Sequence, residues 1–307
     1  MRKYKLILLS VSLLLKHVDT YCQVSKATKY ENVVYGMVSG TALLMDIHMP
    51  VNSNHIGILF IPGSGFGYFV SEDYDQSPLK NAYISKYPGT EAQSLVNKGY
   101  TVFIINHRNA PKFRFPEIFY DCQRAVRFIR YNATKYGIDP NHIGAMGHSS
   151  GGNLSAMLGV QDTTINKPKN PIDNVSSKVQ TVVTLAGYFD LSDMNKKEDT
   201  AMSRDMVLRV ILNYMGELPQ LYKNEFVSSG KYAQASPLSF ISKDDAPFLI
   251  YYSDDDPVIP AREATLIYQK LKENNVPVKI VLKPKEGHLP KPDMEEVDKW
   301  FKQYLKL

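Results

Sequence analysis
Ile143-Gly-Ala-Met-Gly147-His148-Ser149-Ser150-Gly151-Gly152 compresses the end of a strand, a sharp turn and the start of a helix into ten residues. Ile143–Met146 is short and apolar, as a strand buried on both faces is, and Ser150–Val160 continues as a helix. Between them stands the pentapeptide Gly147-His148-Ser149-Ser150-Gly151, a G-x-S-x-G pattern. A serine on so tight a turn has a strained backbone and a projecting hydroxyl, and the glycines beside it make room where chains crowd. The helix N-terminus behind Ser149 favours negative charge that develops on attack. A glycine-rich turn without chemistry is the bland alternative. The strand before, the helix after and the additional Gly152 favour Ser149 as a nucleophile.

Outward from this turn, strand-like and helix-like runs alternate. Val33–Val38 and Ala42–His48 flank Ser39-Gly40 and read as an opening hairpin. Ile56–Ile61, Tyr100–Ile105, Val179–Ala186, Phe248–Tyr252 and Val278–Leu282 are short runs as apolar as strands covered on both faces. Ile118, Cys122, Ala125, Val126 and Ile129 recur at helical spacing, with Gly137 placed to end that helix. Ala261–Asn274 follows Pro260, and Met294, Val297, Trp300, Phe301 and Tyr304 share one helix face. The expectation is an α/β fold with a doubly wound, mainly parallel sheet, whose ligands bind beyond the carboxyl ends of its strands. Gly67–Thr90, with Tyr68, Tyr74, Tyr83 and Tyr87, and Asp190–Ser239 interrupt the rhythm as insertions over the site.

A serine hydroxyl needs a positioned base. His288 sits on the loop that follows Val278–Leu282, at a strand's carboxyl end. His48, His55 and His142 flank strands at less useful positions, His148 diverges from its neighbour Ser149, and His107 is the competitor because it also ends a strand. The acid that orients the base belongs on the loop after Phe248–Tyr252, which reads Ser253-Asp254-Asp255-Asp256-Pro257-Val258. We take Asp256. A calcium site and a solvated acidic loop are the other readings of three adjacent carboxylates. Two backbone amides are needed to hold an oxyanion: that of Ser150, after the nucleophile, and one from Pro62-Gly63-Ser64-Gly65, either Ser64 or Gly65.

Residues 1–22 have the layout of a secretory signal peptide, with Arg2, Lys3 and Lys5 before the apolar run Leu6–Leu15. Residues 23–307 then form one catalytic domain, secreted or periplasmic, with no stable membrane association once the leader is removed. Of two cysteines only Cys122 remains in it, on a helix's apolar stripe, as a small core residue. The formal net charge of +5 is partly carried by the leader, and no long basic run marks a nucleic-acid partner.

Gly147-His-Ser-Ser-Gly-Gly-Asn153-Leu resembles the nucleophile elbow of the bacterial carboxylesterases that include feruloyl and acetylxylan esterases, neighbours of the hormone-sensitive-lipase-like esterases. The resemblance extends through Asn109-Ala-Pro111, Phe115-Pro116, Asp121 and Tyr136-Gly-Ile-Asp-Pro140. It continues in Asp254-Asp-Asp256-Pro-Val258, where the family's acid matches Asp256, and in Glu286-Gly-His288, which matches its histidine loop. It implies an α/β-hydrolase fold with a helical insertion over the active site, and hydrolysis of a small-molecule or carbohydrate ester through an acyl-enzyme, with no cofactor or metal. Acetyl and feruloyl groups of plant polysaccharide are the esters it points to. The chain departs from the family at Pro62-Gly63-Ser64-Gly65, where His-Gly-Gly-Gly is usual. A prolyl-oligopeptidase-like peptidase and an inactive hydrolase fold that only binds a ligand are the rival readings.

Overall fold
The short apolar runs pair here into one large sheet. The computed structural model describes residues 27–38, 40–67, 90–163, 165, 170–192, 201–217, 220–222, 225–227, 230–288 and 290–305. The expected leader over residues 1–22, and residues 68–89 of the tyrosine-bearing insertion, lie outside them. β1 (Thr28–Val38) and β2 (Thr41–Met49) form the antiparallel hairpin, with Val38 opposite Thr41. There follow β3 (Gly57–Ile61), α1 (Glu91–Asn97), β4 (Thr101–Asn106), α2 (Glu117–Tyr131), β5 (Ile143–His148), α3 (Ser150–Val160) and β6 (Thr181–Leu185). The second insertion contributes α4 (Ala201–Met215), the small pair β7 (Gln220–Tyr222) and β8 (Glu225–Val227), and α5 (Gly230–Gln234). The chain closes with β9 (Phe248–Tyr252), α6 (Arg262–Glu273), β10 (Val278–Leu282) and α7 (Met294–Tyr304).

The eight-stranded sheet runs β1-β2-β4-β3-β5-β6-β9-β10. β2 is antiparallel to both neighbours, and every pairing from β4 to β10 is parallel. Alternate side chains feed the two faces. Ile58 and Phe60 meet Leu95, Val297 and Phe301 of α1 and α7, while Leu59 and Ile61 join the core with Val126, Ile129, Leu154 and Ile267 of α2, α3 and α6. Phe301 is fully buried, and Phe301→Ala should cost about 3–5 kcal/mol in lost transfer energy and cavity.

Two details correct the sequence reading. Val278–Leu282 is not covered on both faces: it is the sheet's edge, and Leu282 is exposed. An edge strand needs less apolar content than this run has, so composition overstated its burial. Gly137 does not end α2, which stops at Tyr131. It ends the 3₁₀ turn Ala133–Tyr136 that follows, where its φ of 65° is the left-handed closure glycine supplies. Cys122 is fully buried, as its place on the stripe requires.

Register sets the site. Ile61 pairs with Gly147, which places the Pro62-Gly63 turn beside His148-Ser149. Leu282 pairs with Tyr252, which brings Ser253–Asp256 alongside Lys283–His288. All four expected loops therefore emerge at the carboxyl ends of parallel strands.

Candidate active site
Ser149 is the hinge between β5 and α3. Its φ of 50° and ψ of −118° lie in a region that costs a side-chain-bearing residue on the order of 1–3 kcal/mol. The turn fits only because its flanks lack side chains. A Cβ at Gly147 would stand 2.3 Å from the Gly151 carbonyl oxygen, and one at Gly151 would stand 2.1 Å from that of Ile61. The Ser149 amide donates to Leu185 O at 2.8 Å, pinning the elbow to the adjacent strand.

His288 reaches Ser149 from the β10 loop, with Nε2 3.0 Å from the hydroxyl oxygen. Its Nδ1 lies 3.0 and 3.1 Å from the two carboxylate oxygens of Asp256. A carboxylate accepts only, so Nδ1 carries the proton there and Nε2 faces Ser149 with a lone pair. The Asp256 side chain is only 2% exposed, and its Oδ1 also accepts from the amides of Val258 (2.7 Å) and Ile259 (2.9 Å). These bonds compensate its burial and aim it.

The three neighbouring aspartates divide their work. Asp254 accepts from the Lys285 amide at 2.9 Å. Asp255 accepts from Ser253 Oγ at 2.6 Å and from the Gly287 amide at 2.9 Å, and those bonds hold its carboxyl below the usual range. Both therefore tie the acid loop to the histidine loop, and only Asp256 faces the imidazole. Sequence reasoning missed Ser253, the fully buried knot of this tie. Its single hydroxyl proton is shared between Asp255 Oδ1 at 2.6 Å and Lys283 O at 2.7 Å, and its oxygen accepts from the Glu286 amide at 3.0 Å. Its register beside Lys283 is the signal that it would bridge. Among the described residues no group of three or more His, Cys, Asp or Glu is placed to hold a metal ion.

The structure separates the two expected oxyanion donors. The Ser64 amide donates to Ser150 Oγ at 3.1 Å, so it is already spent. Gly65 and Ser150 instead line a chamber of about 250 Å³ together with Ser149 and His288. Its remaining wall is apolar: Phe66, Tyr188, Leu191, Val210, Ile211, Val258 and Ile259. Val210 and Ile211 come from α4, which puts the second insertion over the site as expected. Asn153 Nδ2 donates to Tyr188 O at 2.7 Å, and Glu263 Oε2 accepts from the amides of Phe189 and Asp190 at 2.8 Å each. Together they fix the loop that presents Tyr188 and Leu191. Burial pushes the Glu263 carboxyl up to about 7 against the pull of those amides. Of the first insertion, Gly67–Thr90, only the two end residues lie within the described residues.

Among the described residues, the other histidines stay out of the chamber. His107 is buried and donates from Nδ1 to Arg108 O at 2.7 Å, and burial lowers its pKa. His148 packs edge-on against Phe60, with burial lowering its pKa and Glu91 opposing. His55 bonds Gly137 O, and His142 sits 3.5 Å from Asp139.

With this geometry in view, the chain's relatives are informative. The BD-FAE family model matches residues 45–271, most of the chain. Esterase LipC of Mycobacterium tuberculosis is 29% identical over 182 residues, 58% of this chain and 42% of that protein. The chain spans less than half the length of the curated mycobacterial relatives it matches. Among solved structures, a truncated carbohydrate esterase from gut microbiota superposes with a TM-score of 0.70 at 24% identity, over 93% of this chain and 99% of that one. The acetyl ester-xyloside bifunctional hydrolase of Caldicellulosiruptor lactoaceticus gives 0.68 at 19% identity, over 92% and 98%. At such identities these likenesses speak to the fold, and the fold they share is the α/β-hydrolase fold expected from the elbow. On the extent of the family match, this chain belongs to the BD-FAE family.

Proposed function
We propose that this protein is a carboxylic ester hydrolase that works through a serine acyl-enzyme. The observation that carries the reading is the continuous relay from Asp256 through His288 to the Ser149 hydroxyl. Ser149 Oγ attacks the ester carbonyl carbon as His288 Nε2 takes its proton. The carbonyl oxygen becomes an oxyanion held by the amides of Ser150 and Gly65. Collapse expels the alcohol, which receives the proton from His288 and leaves an acyl group on Ser149. Water then repeats the sequence: His288 takes its proton, the new oxyanion collapses, and Ser149 leaves with that proton as the free acid departs. Asp256 stays ionised throughout, holding the Nδ1–H tautomer and stabilising the imidazolium between steps. No cofactor enters any of these steps.

The substrates we propose are acetyl or feruloyl esters of carbohydrate. The family membership supports this, as do structural neighbours named a carbohydrate esterase and an acetyl ester-xyloside hydrolase. We also propose export: residues 1–22 have a leader's layout, and no described helix is long and apolar enough to cross a membrane. Mass measurement of the protein recovered outside the cytoplasm should show a chain that begins after Cys22.

A panel of short and long p-nitrophenyl esters, methyl ferulate, acetylated xylan and a proline amide tests the reaction class. The expected result is turnover of esters and none of the amide. Cleavage of the amide without cleavage of simple esters would replace this reading with a peptidase.

A further inference from the structure
The proposed chemistry needs the Gly65 amide held still where an oxyanion forms, yet the loop that carries it has an improbable shape. Gly65, Phe66 and Gly67 have consecutive φ values of 59°, 57° and 86°. Glycine enters the left-handed region without a Cβ clash, whereas a phenylalanine in the middle of such a run must be held there. Polar ties account for part of the holding. Gly67 N donates to Ser64 Oγ at 2.8 Å, and Phe66 O accepts from the Ala110 amide at 3.0 Å. Neither fixes the Phe66 side chain. That is done by Tyr214 of the insertion helix α4, whose ring lies flat on the Phe66 ring with centroids 3.7 Å apart and planes 2° from parallel.

Tyr214 is itself well anchored. It is fully buried, its ring meets the Phe115 ring edge-on at 5.8 Å, and its carbonyl accepts from the Phe115 amide at 2.8 Å. Among the described residues its hydroxyl has no hydrogen-bond partner, so the contact with Phe66 is made by the ring. A buried polar atom left unpaired is ordinarily costly, and nothing in its surroundings uses it. On the same helix, Val210 and Ile211 wall the chamber.

We propose that Tyr214 is a positioning residue for the reaction: by clamping Phe66 in its left-handed conformation, its ring sets the Gly65 amide against the developing oxyanion. The insertion thus completes the catalytic geometry as well as enclosing the substrate. This inference rests on the reading of Ser149 as nucleophile and Gly65 as oxyanion donor. A loop set by the clamp matters in the transition state more than in the ground state, so its loss should fall on kcat.

The test compares Tyr214→Leu with Tyr214→Phe on one short p-nitrophenyl ester. It also measures inhibition by an alkyl trifluoromethyl ketone, whose carbonyl carbon accepts Ser149 Oγ while His288 takes the hydroxyl proton and the ketone oxygen becomes a stable oxyanion. Tyr214→Leu should lower kcat about 10²-fold with KM within about threefold, and weaken the ketone in parallel. Tyr214→Phe, which keeps the ring, should hold both within about twofold. Should Tyr214→Leu fail to fold, Phe66→Leu opens the stack from its other side and carries the same expectation. If both fold, the double variant should lose no more than either single one. A folded Tyr214→Leu or Phe66→Leu protein with normal kcat and normal ketone inhibition overturns the proposal, as does a Tyr214→Phe protein as impaired as the leucine variant. These outcomes are distinct from failure of the underlying reading, in which the unmodified protein turns over no ester or Ser149→Ala remains active; that failure removes the proposal too.

Discussion

On one side of Ser149 the loops after β9 and β10 are laced together by polar side chains. Ser253, Asp254 and Asp255 bind backbone groups of Lys283, Lys285, Glu286 and Gly287, and Asp256 takes two amides of its own turn before it meets His288. On the other side the Gly63–Gly67 loop keeps its shape through left-handed backbone, three hydrogen bonds (Ser64 N to Ser150 Oγ, Gly67 N to Ser64 Oγ and Ala110 N to Phe66 O) and one aromatic stack. The base must be aimed through a flexible side chain, so its loops are tied by directional bonds. On the proposed mechanism the oxyanion donor is a backbone amide, so its loop has to hold a backbone conformation rather than aim a side chain. Damage on the first side should therefore appear as a misdirected or mischarged base, and damage on the second as a lost transition-state contact.

Five substitutions test this contrast. The largest effect belongs to the residue both sides serve. Ser149→Ala should reduce kcat by about 10⁶-fold with the fold intact, as in other serine triads, read by initial rates beside circular dichroism. Substantial turnover in that variant would place the nucleophile elsewhere.

Asp256→Asn comes next. It keeps the shape but loses the charge and offers His288 the wrong tautomer. We expect a loss of at least about 10²-fold in kcat, toward the 10⁴-fold known for this exchange in a serine protease. If Asp254→Asn or Asp255→Asn were the crippled variant instead, the division of labour among the three aspartates would be wrong.

Glu263→Gln probes the far wall, where a buried carboxyl holds the Tyr188–Leu191 loop. Its folded pKa of about 7 stands above the ordinary glutamate value of 4.5. The unfolded chain therefore loses this proton first as pH rises. The stability difference is fully present below about pH 4.5 and is lost as pH climbs through 7, by up to about 3 kcal/mol. Urea midpoints at pH 5 and pH 8 should fall for the unmodified protein relative to Glu263→Gln. Parallel pH dependences for the two proteins would show that Glu263 is already ionised at low pH.

The smallest effects are those of the ties. Asp254→Asn and Asp255→Asn should each lower kcat by no more than about tenfold, since each strips the charge assistance from one aspartate's ties while those of the other remain. Loss as large as that of Asp256→Asn would make the lacing part of the chemistry.

The elbow, His288 and the acid loop were legible in the sequence because each follows an apolar strand, and the carboxyl ends of parallel strands gather at one edge of the sheet. Which amide faces the oxyanion was not legible. Ser64 and Gly65 are adjacent, and the choice turns on where the Ser150 hydroxyl points. The meeting of Phe66 and Tyr214 was equally hidden, since an aromatic pair drawn from the loop after β3 and a distant insertion leaves no periodic trace. The edge position of β10 escaped for a related reason: composition reports how apolar a strand is, and the sheet order decides what covers it.

On the proposed mechanism His288, aimed by Asp256, makes Ser149 the reactive nucleophile. Treating the folded protein with a fluorophosphonate and locating the adduct by peptide mass spectrometry should find one adduct, on Ser149, and almost none in a folded His288→Ala protein over the same time. An adduct on a different residue would contradict it, and so would an unlabelled protein that still hydrolyses esters.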